Sequence, residues 1–434
     1  MALSARRPAW FLLALLSIVA AFFLVLPLFK PRGVFGWGHY RLIDLYVGVP
    51  VLLAAICVAI YIVGDPAGRV KRTARLAALF ISILLTLAVA DLGYAFGVQG
   101  AWRSSMPTDV WFDGETITRD NALPDAELGF VRKPFVVWEG RLSPEAKHVK
   151  YRTDEIGFRN PSGIKQAHVV FIGDSFTEGA SVPEESTFVQ RVAAAAKVST
   201  VNLGRGNYGP QQELMVLKRY GAKYNPRIVV WQLFEGNDLS DARNFAEWRQ
   251  RPPSESLMLR YTKRSLIARF LQVTTRRDQV TPRALQLPDG GTTKVYLDYR
   301  YGPEDPAREA RGINEIKNAI AEGSQWCQSR GIKLLVVFIP IKVRVLGPFV
   351  QFQDERDRES YLPGGKLDSD ADFAQEIGKF CKTAGYPFID MTEHLRKAAE
   401  SDRQTIYSTL QDSHLDEGGH EVVAGVIGNW LRNN

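Results

Sequence analysis

The sequence predicts an α/β domain with a parallel sheet, preceded by three transmembrane helices. Three observations predict this. From about residue 165 short apolar strands alternate with amphipathic helical stretches, the pattern of a parallel sheet covered by helices on both faces. Before residue 100 the chain carries three long apolar runs. The first strand of the alternation runs straight into Gly173-Asp174-Ser175, which sets a serine at the sheet edge where ligands bind in such folds.

The chain has 434 residues, 46% hydrophobic and 23% charged, an ordinary balance for one large folded domain plus something extra. The apolar runs cover residues 10–29, 45–63 and 76–96. About 20 residues of helix cross a ~30 Å hydrocarbon core, so each reads as a span. A cleaved signal peptide is the alternative for the first, since Arg6 and Arg7 precede it. That run is too long, however, and it ends in Leu-Phe-Lys-Pro-Arg with no small-residue cleavage pattern. Asp44 stands just before the second run, Pro50 lies within it and Asp91 within the third, both carboxylates near span ends, within reach of the interface.

Arg6, Arg7, Arg69, Lys71, Arg72 and Arg75 on one side outnumber Lys30, Arg32, Arg41 and Arg103 on the other. That bias places the N-terminus inside and the C-terminal part in the periplasm or outside the cell. Tyr94 and Trp102 suit an interfacial aromatic belt. The lipid bilayer is then a partner, and the net charge of +7 is partly an orientation signal. No basic block interleaved with aromatics asks for nucleic acid. Cys57 falls inside a span, while Cys327 and Cys381 lie in the outer part, where the sequence leaves open whether they form a disulfide.

After the anchor (1–100) come a linker and apron segment (101–164) and the α/β domain (165–434). Strands are expected at 168–172, 198–203, 227–234, 332–339 and 387–391. Helices are expected at 188–197, 211–224, near 307–330 and at 418–431. About 70 residues rich in Arg, Pro and Gly separate the third strand from the helix near 307. Such a length is far beyond the usual connection and suits a loop that shapes a substrate site. Residues 342–368, after the fourth strand, read the same way. There is no internal repeat and no low-complexity tract.

The strand Val169-Val170-Phe171-Ile172 leads into Gly173-Asp174-Ser175-Phe176-Thr177-Glu178-Gly179. A serine there is exposed, with the N–H groups of the next turn able to face a developing oxyanion. Taken alone the triplet also suits a plain turn or helix cap. Partners change that. Phe234-Glu235-Gly236-Asn237-Asp238 ends the third strand on the same sheet edge, where the Asn237 amide can donate to an oxyanion, though Gly-Asn-Asp is also good turn chemistry.

A serine nucleophile needs a base near neutral pH, usually histidine. Of six histidines, His39 lies between spans, His148 precedes the sheet, His168 opens the first strand and His394 sits in a helix. His414 and His420 remain. His414 stands in a polar stretch before the last helix, with Asp412 two residues upstream and able to fix its tautomer. His420 lies at the start of that helix and reads as a capping or packing residue.

Gly173-Asp174-Ser175 with Phe-Thr-Glu-Gly, then Gly236-Asn237-Asp238, then Asp412-x-His414, closely resembles the SGNH (GDSL) hydrolase family over roughly residues 150 to 434. The resemblance implies a flavodoxin-like three-layer α/β/α domain. It also implies Ser175 as nucleophile, His414 as general base and Asp412 as its orienting acid. Asn237 and the Ser175 N–H would be oxyanion donors, joined by a backbone N–H from Gly206 or, by spacing, Asn207. The Asp-x-His spacing is more similar to the branch containing alginate O-acetyltransferase-like proteins.

The expected activity is that of a membrane-anchored serine esterase acting on an acylated envelope glycan or lipid, with no metal or organic cofactor. Two alternatives stand beside it. One is an O-acyltransferase working with a multi-span partner that delivers the acyl donor, and the other is a catalytically silent glycan-binding or scaffold module.

Overall fold

In a computed structural model, the described residues are 7–24, 48, 51–56, 58–59, 68–93, 111–112, 115–116, 122–140, 147–179, 181–250, 265, 282–297, 306–362, 373–410 and 412–434. The chain divides into two units, Met1–Gln99 with Arg264–Arg269, and Gly100–Lys263 with Phe270–Asn434.

The first unit corrects the membrane expectation. Among the described residues, no helix is long and apolar enough to cross a membrane. The helix Arg7–Leu24 has 18 residues, about 27 Å at 1.5 Å per residue, which falls short of a ~30 Å core. The helix Arg69–Gly93 opens with Arg69, Lys71, Arg72 and Arg75 and carries Asp91 near its end. Asp91 is buried and does not reach for an interface: its Oδ2 accepts from Ser265 Oγ at 2.5 Å. The second expected span, 45–63, and its Cys57 lie largely outside the described residues. The three transmembrane helices and the multi-pass localisation drawn from them are therefore not met, and the orientation argument falls with them.

The second unit is built on five strands: β1 (Val169–Ile172), β2 (Thr200–Asn202), β3 (Ile228–Phe234), β4 (Lys333–Ile339) and β5 (Phe388–Asp390). All neighbours are parallel, in the order β2-β1-β3-β4-β5, the flavodoxin-like order with its switch point between β1 and β3. Its helices include α1 (Ser175–Glu178), α2 (Phe188–Ala196), α3 (Pro210–Tyr220), α4 (Asp238–Gln250), α5 (Pro306–Gln328), α6 (Lys342–Leu346), α7 (Phe373–Ala384), α8 (Thr392–Ser401) and α9 (Glu417–Asn433).

Why these segments become central strands is visible in their side chains. Alternate residues must leave opposite faces of a strand, so a strand covered on both sides needs an unbroken apolar run. Val169, Phe171, Val230, Leu335 and Val337 enter one core with α2, α8 and α9. Val170, Ile172, Val229, Trp231, Leu334 and Val336 enter the other with α3, α5 and α7. Burying each such side chain contributes roughly 1.5–3 kcal/mol. The second face is tight where α5 crosses β3, since a Cβ on Gly323 would stand 2.5 Å from Trp231 Cζ3.

The region expected as one long loop after β3 holds structure of its own. It begins with α4, and further on Arg283–Gln286 and Thr292–Val295 pair as an antiparallel hairpin. The turn between them carries Gly290 at φ 86°, in the left-handed region that favours glycine. Val350–Gln351, from the second expected loop, adds a third strand to that hairpin. The two insertions thus meet in one small sheet, which sequence periodicity missed because the strands are too short to show a period.

Among the described residues three antiparallel pairs precede the main sheet, Trp111–Phe112 with Glu115–Thr116, Ala122–Asp125 with Gly129–Arg132 and Val137–Gly140 with Val149–Arg152. Leu128, Phe130 and Phe158 from this segment join the second core. Cys327 and Cys381 are free, buried thiols in α5 and α7 and form no disulfide with each other. Burial pushes both up to about 12.

Candidate active site

The site is assembled at the carboxyl ends of β1 and β3, where the sheet order reverses. Ser175 is the first residue of the one-turn helix α1. The Asp174 side chain caps it, accepting from Phe176 N at 2.9 Å, and Gly179 closes it in the left-handed conformation at φ 67°. A capped single turn holds the nucleophile's backbone without a long helix behind it. Thr177 Oγ1 donates to Gln232 Oε1 at 2.8 Å, tying the turn to β3.

His414 Nε2 lies 2.8 Å from Ser175 Oγ, and His414 Nδ1 lies 2.5 Å from Asp412 Oδ1. The carboxylate can only accept, so Nδ1 carries the proton and Nε2 is left to accept from the serine hydroxyl. The turn is compact, since Asp412 Oδ1 also accepts from His414 N at 3.1 Å and Ser408 N donates to His414 O at 3.0 Å. Phe176 packs on the imidazole with ring centroids 5.0 Å apart. The structure therefore brings together Ser175, His414 and Asp412 across more than two hundred residues of chain.

Burial disfavours the imidazolium, but the Asp412 charge and hydrogen bond, with Asp174 and Glu178 beyond, outweigh it and raise His414 above the ordinary histidine value. Asp412 shows the reciprocal balance. Burial opposes its charge, and His414, then Lys342, hold it below the usual carboxylate range.

The oxyanion candidates separate on inspection. Gly206 sits beside the nucleophile, where an added Cβ would stand 3.4 Å from Ser175 Cβ. Its N–H, however, donates to Glu178 Oε2 at 2.8 Å. Asn207 follows it, exposed at φ 66°, and its N–H has no acceptor among the described residues. Of the pair, Asn207 has the available donor. The Asn237 amide stands at the end of β3 and gives Nδ2 to Asp241 Oδ2 at 2.7 Å, with the Asp174 carboxyl also within its reach.

Sequence reasoning missed Glu178 and Lys342. Glu178 is buried and receives the Tyr151 hydroxyl, Arg205 at 3.0 Å, Arg132 at 3.3 Å and the Gly206 N–H. Burial would raise its pKa, but the two guanidiniums prevail and hold it at about 2. It welds the 205–206 loop to α1. Arg132 and Tyr151 come from the segment ahead of the sheet, so no local spacing could have shown the cluster. For Lys342 a signal existed, a lysine just beyond a strand end on the site's own edge. His420 packs, accepting from Phe188 N at 3.2 Å, and burial depresses it to about 3. Among the described residues no group of three or more His, Cys, Asp or Glu is placed to hold a metal.

No protein-family model and no curated protein matches the chain. Solved structures overlap it weakly. A lipolytic protein of the G-D-S-L family from Desulfitobacterium hafniense shares 11% identity over 60% of this chain and 97% of its own, with a TM-score of 0.33. A GDSL-like lipase from Bacteroides thetaiotaomicron shares 13% over 61% and 87%, at 0.31. The acetyl xylan esterase AlAXEase shares 14% over 61% and 98%, at 0.33. Overlaps at this level carry no argument about activity, which rests on the site.

Proposed function

We propose that the chain is a serine acyl hydrolase, an esterase in which Ser175 attacks, His414 is the general base and Asp412 orients it. The observation that carries the reading is the continuous hydrogen-bonded chain from Ser175 Oγ through both ring nitrogens of His414 to Asp412 Oδ1. As Oγ attacks an ester carbonyl, its proton passes to Nε2 and the tetrahedral oxyanion forms. The N–H groups of Ser175 and Asn207 and the Asn237 amide receive that charge, each donor supplying roughly 3–4 kcal/mol of barrier lowering. The imidazolium then protonates the leaving alkoxide, leaving an acyl-serine. Water attacks it and gives a proton to Nε2, and as the acid departs the imidazolium returns that proton to Ser175 Oγ.

An intact nucleophile, base and acid in hydrogen-bond order speak against the catalytically silent module. The envelope glycan or lipid substrate was argued from a membrane location, and that argument falls with the spans. Transfer to a sugar hydroxyl, with a membrane partner supplying the donor, has only the Asp412-x-His414 spacing in its favour. The test is hydrolysis of p-nitrophenyl acetate by the full chain. Turnover in the wild type and its loss in Ser175→Ala supports the reading; equal rates in the two proteins would overturn it.

A further inference from the structure

Lys342 opens α6, three residues past the end of β4, and only 2% of it is exposed. A dry ammonium needs fixed dipoles in place of its water. Lys342 Nζ donates to the carbonyl oxygens of Asp412 at 2.7 Å, Tyr296 at 2.8 Å and Leu410 at 3.2 Å. Two of these carbonyls belong to the turn that carries Asp412 and His414. The third follows the 283–295 hairpin, and Tyr296 N returns a bond to Thr409 O at 3.1 Å. From the same strand end, Pro340 O accepts the Tyr407 hydroxyl at 2.5 Å, just ahead of the turn.

We propose that Lys342 is a positioning residue for the triad: its ammonium fixes the Asp412 peptide, and through it the carboxylate that orients His414, and fastens this turn to the segment around Tyr296. The inference rests on the hydrolase reading above. Two consequences follow from the geometry. Without the ammonium, Leu410, Asp412 and Tyr296 turn three carbonyl oxygens toward an empty space, and the turn relaxes. A cation is also lost beside Asp412. The charged or titratable groups facing His414 are Asp412 on its own turn, Asp174 before α1, Glu178 in α1 and His420 in α9, with Lys342 acting through Asp412. Removing a cation from beside these acids favours the imidazolium.

The test uses the full chain and a fluorophosphonate probe, following the rate of Ser175 modification against pH, with cooperative thermal unfolding as the check on fold. Lys342→Met and Lys342→Gln are expected to react about ten- to a hundredfold more slowly, as a misplaced catalytic group does. The acid limb of their profiles moves to higher pH. Lys342→Arg, which keeps charge but not the ammonium's fit, reacts slowly with the limb in place. A folded Met or Gln variant with unchanged rate and limb overturns the proposal. So does loss of cooperative unfolding in both, which makes Lys342 a folding residue. A wild-type chain that does not label overturns the hydrolase reading itself, so the two failures are distinguishable.

Discussion

Asp412 and His414, two residues apart, form a carboxylate–imidazole pair at 2.5 Å within one turn, while the serine they serve lies on a different strand end. The short spacing makes the base and its orienting acid a single local unit, so their geometry survives small shifts of the sheet. It also sets the pH behaviour. His414 must be neutral to accept a proton, and its pKa is raised by Asp412 against burial, so kcat/KM should climb through an acid limb above the ordinary histidine value. Asp412→Asn removes the charge and frees the tautomer, and kcat/KM is expected to fall about ten-thousandfold. Whatever activity remains should show its limb at lower pH. A pH profile of ester hydrolysis for both proteins checks this; a limb at the same place in each would refute the pairing.

The oxyanion donors can be told apart by what a substitution leaves behind. Asn207 contributes through its backbone N–H and occupies a left-handed conformation at φ 66°, which costs a non-glycine residue roughly 1 kcal/mol. Asn207→Gly keeps the N–H and relieves that cost, so kcat should stay within about twofold and Tm should hold or rise. Asn237 contributes through its side chain, and Asn237→Ala should lower kcat about a hundred- to a thousandfold with little change in KM. Steady-state kinetics on both variants decides; a large kcat loss in Asn207→Gly would return the role to the Asn207 side chain.

Legibility of this chain followed the range of its interactions. The five strands could be read to within two residues at each end because a run such as Val169–Ile172, apolar at every position, has no alternative use in a parallel sheet. Asp412, His414 and Ser175 were readable because their chemistry is local to short motifs at strand ends. The Glu178 cluster joins residues 132, 151, 178 and 205, and only the fold brings those together. The hairpin at 283–295 is a similar case, since a four-residue strand carries too little pattern to stand out. The apolar N-terminal runs misled for the opposite reason. Arg69, Lys71, Arg72 and Arg75 were read as a flank of the run 76–96, whereas they form the opening turns of the helix Arg69–Gly93.

Glu178 should be a stability residue as much as a site residue. Arg205 and Glu178 are each 1% exposed at their side chains, and removing one member of a buried pair leaves a charge with no solvent, a cost of about 3–5 kcal/mol. Glu178→Gln is expected to lose about that much. The linkage has a definite sign. The folded carboxylate titrates at about 2 and the unfolded one near 4.5, so its stabilisation is complete above about 4.5 and is lost as pH falls toward 2. Denaturant unfolding of the wild type across that interval should show a steep decline that Glu178→Gln lacks. Parallel curves would show that the pair contributes nothing.

The acids behind the nucleophile behave in the opposite sense. Asp174, Glu213, Asp238 and Asp241 are packed near one another with no cation among the partners that shift them, except Arg243 beside Asp241 and His414 beside Asp174. Burial, reinforced by neighbouring acids, raises Asp241 to about 6 and Glu213 well above its ordinary range, and burial alone brings Asp174 to about 6. An acid whose pKa is raised by folding binds more protons folded than unfolded, so stability falls as pH rises from near 4 through 6 and beyond. Glu213 is the member best placed to test this. Its Oε2 accepts from Trp231 Nε1 at 2.7 Å, while Oε1 is buried with no partner among the described residues. Glu213→Gln keeps an acceptor for Trp231 and cannot ionise. Its Tm should exceed that of the wild type by about 2–4 °C at pH 8, the shift that ~1 kcal/mol gives in a domain this size. The advantage should shrink or vanish at pH 5, where the wild-type carboxyl is already protonated. Melting curves at the two pH values read the outcome directly. A gain that is equal at both, or absent at pH 8, would mean that Glu213 is ionised in the fold and that its charge is met by a group outside this cluster.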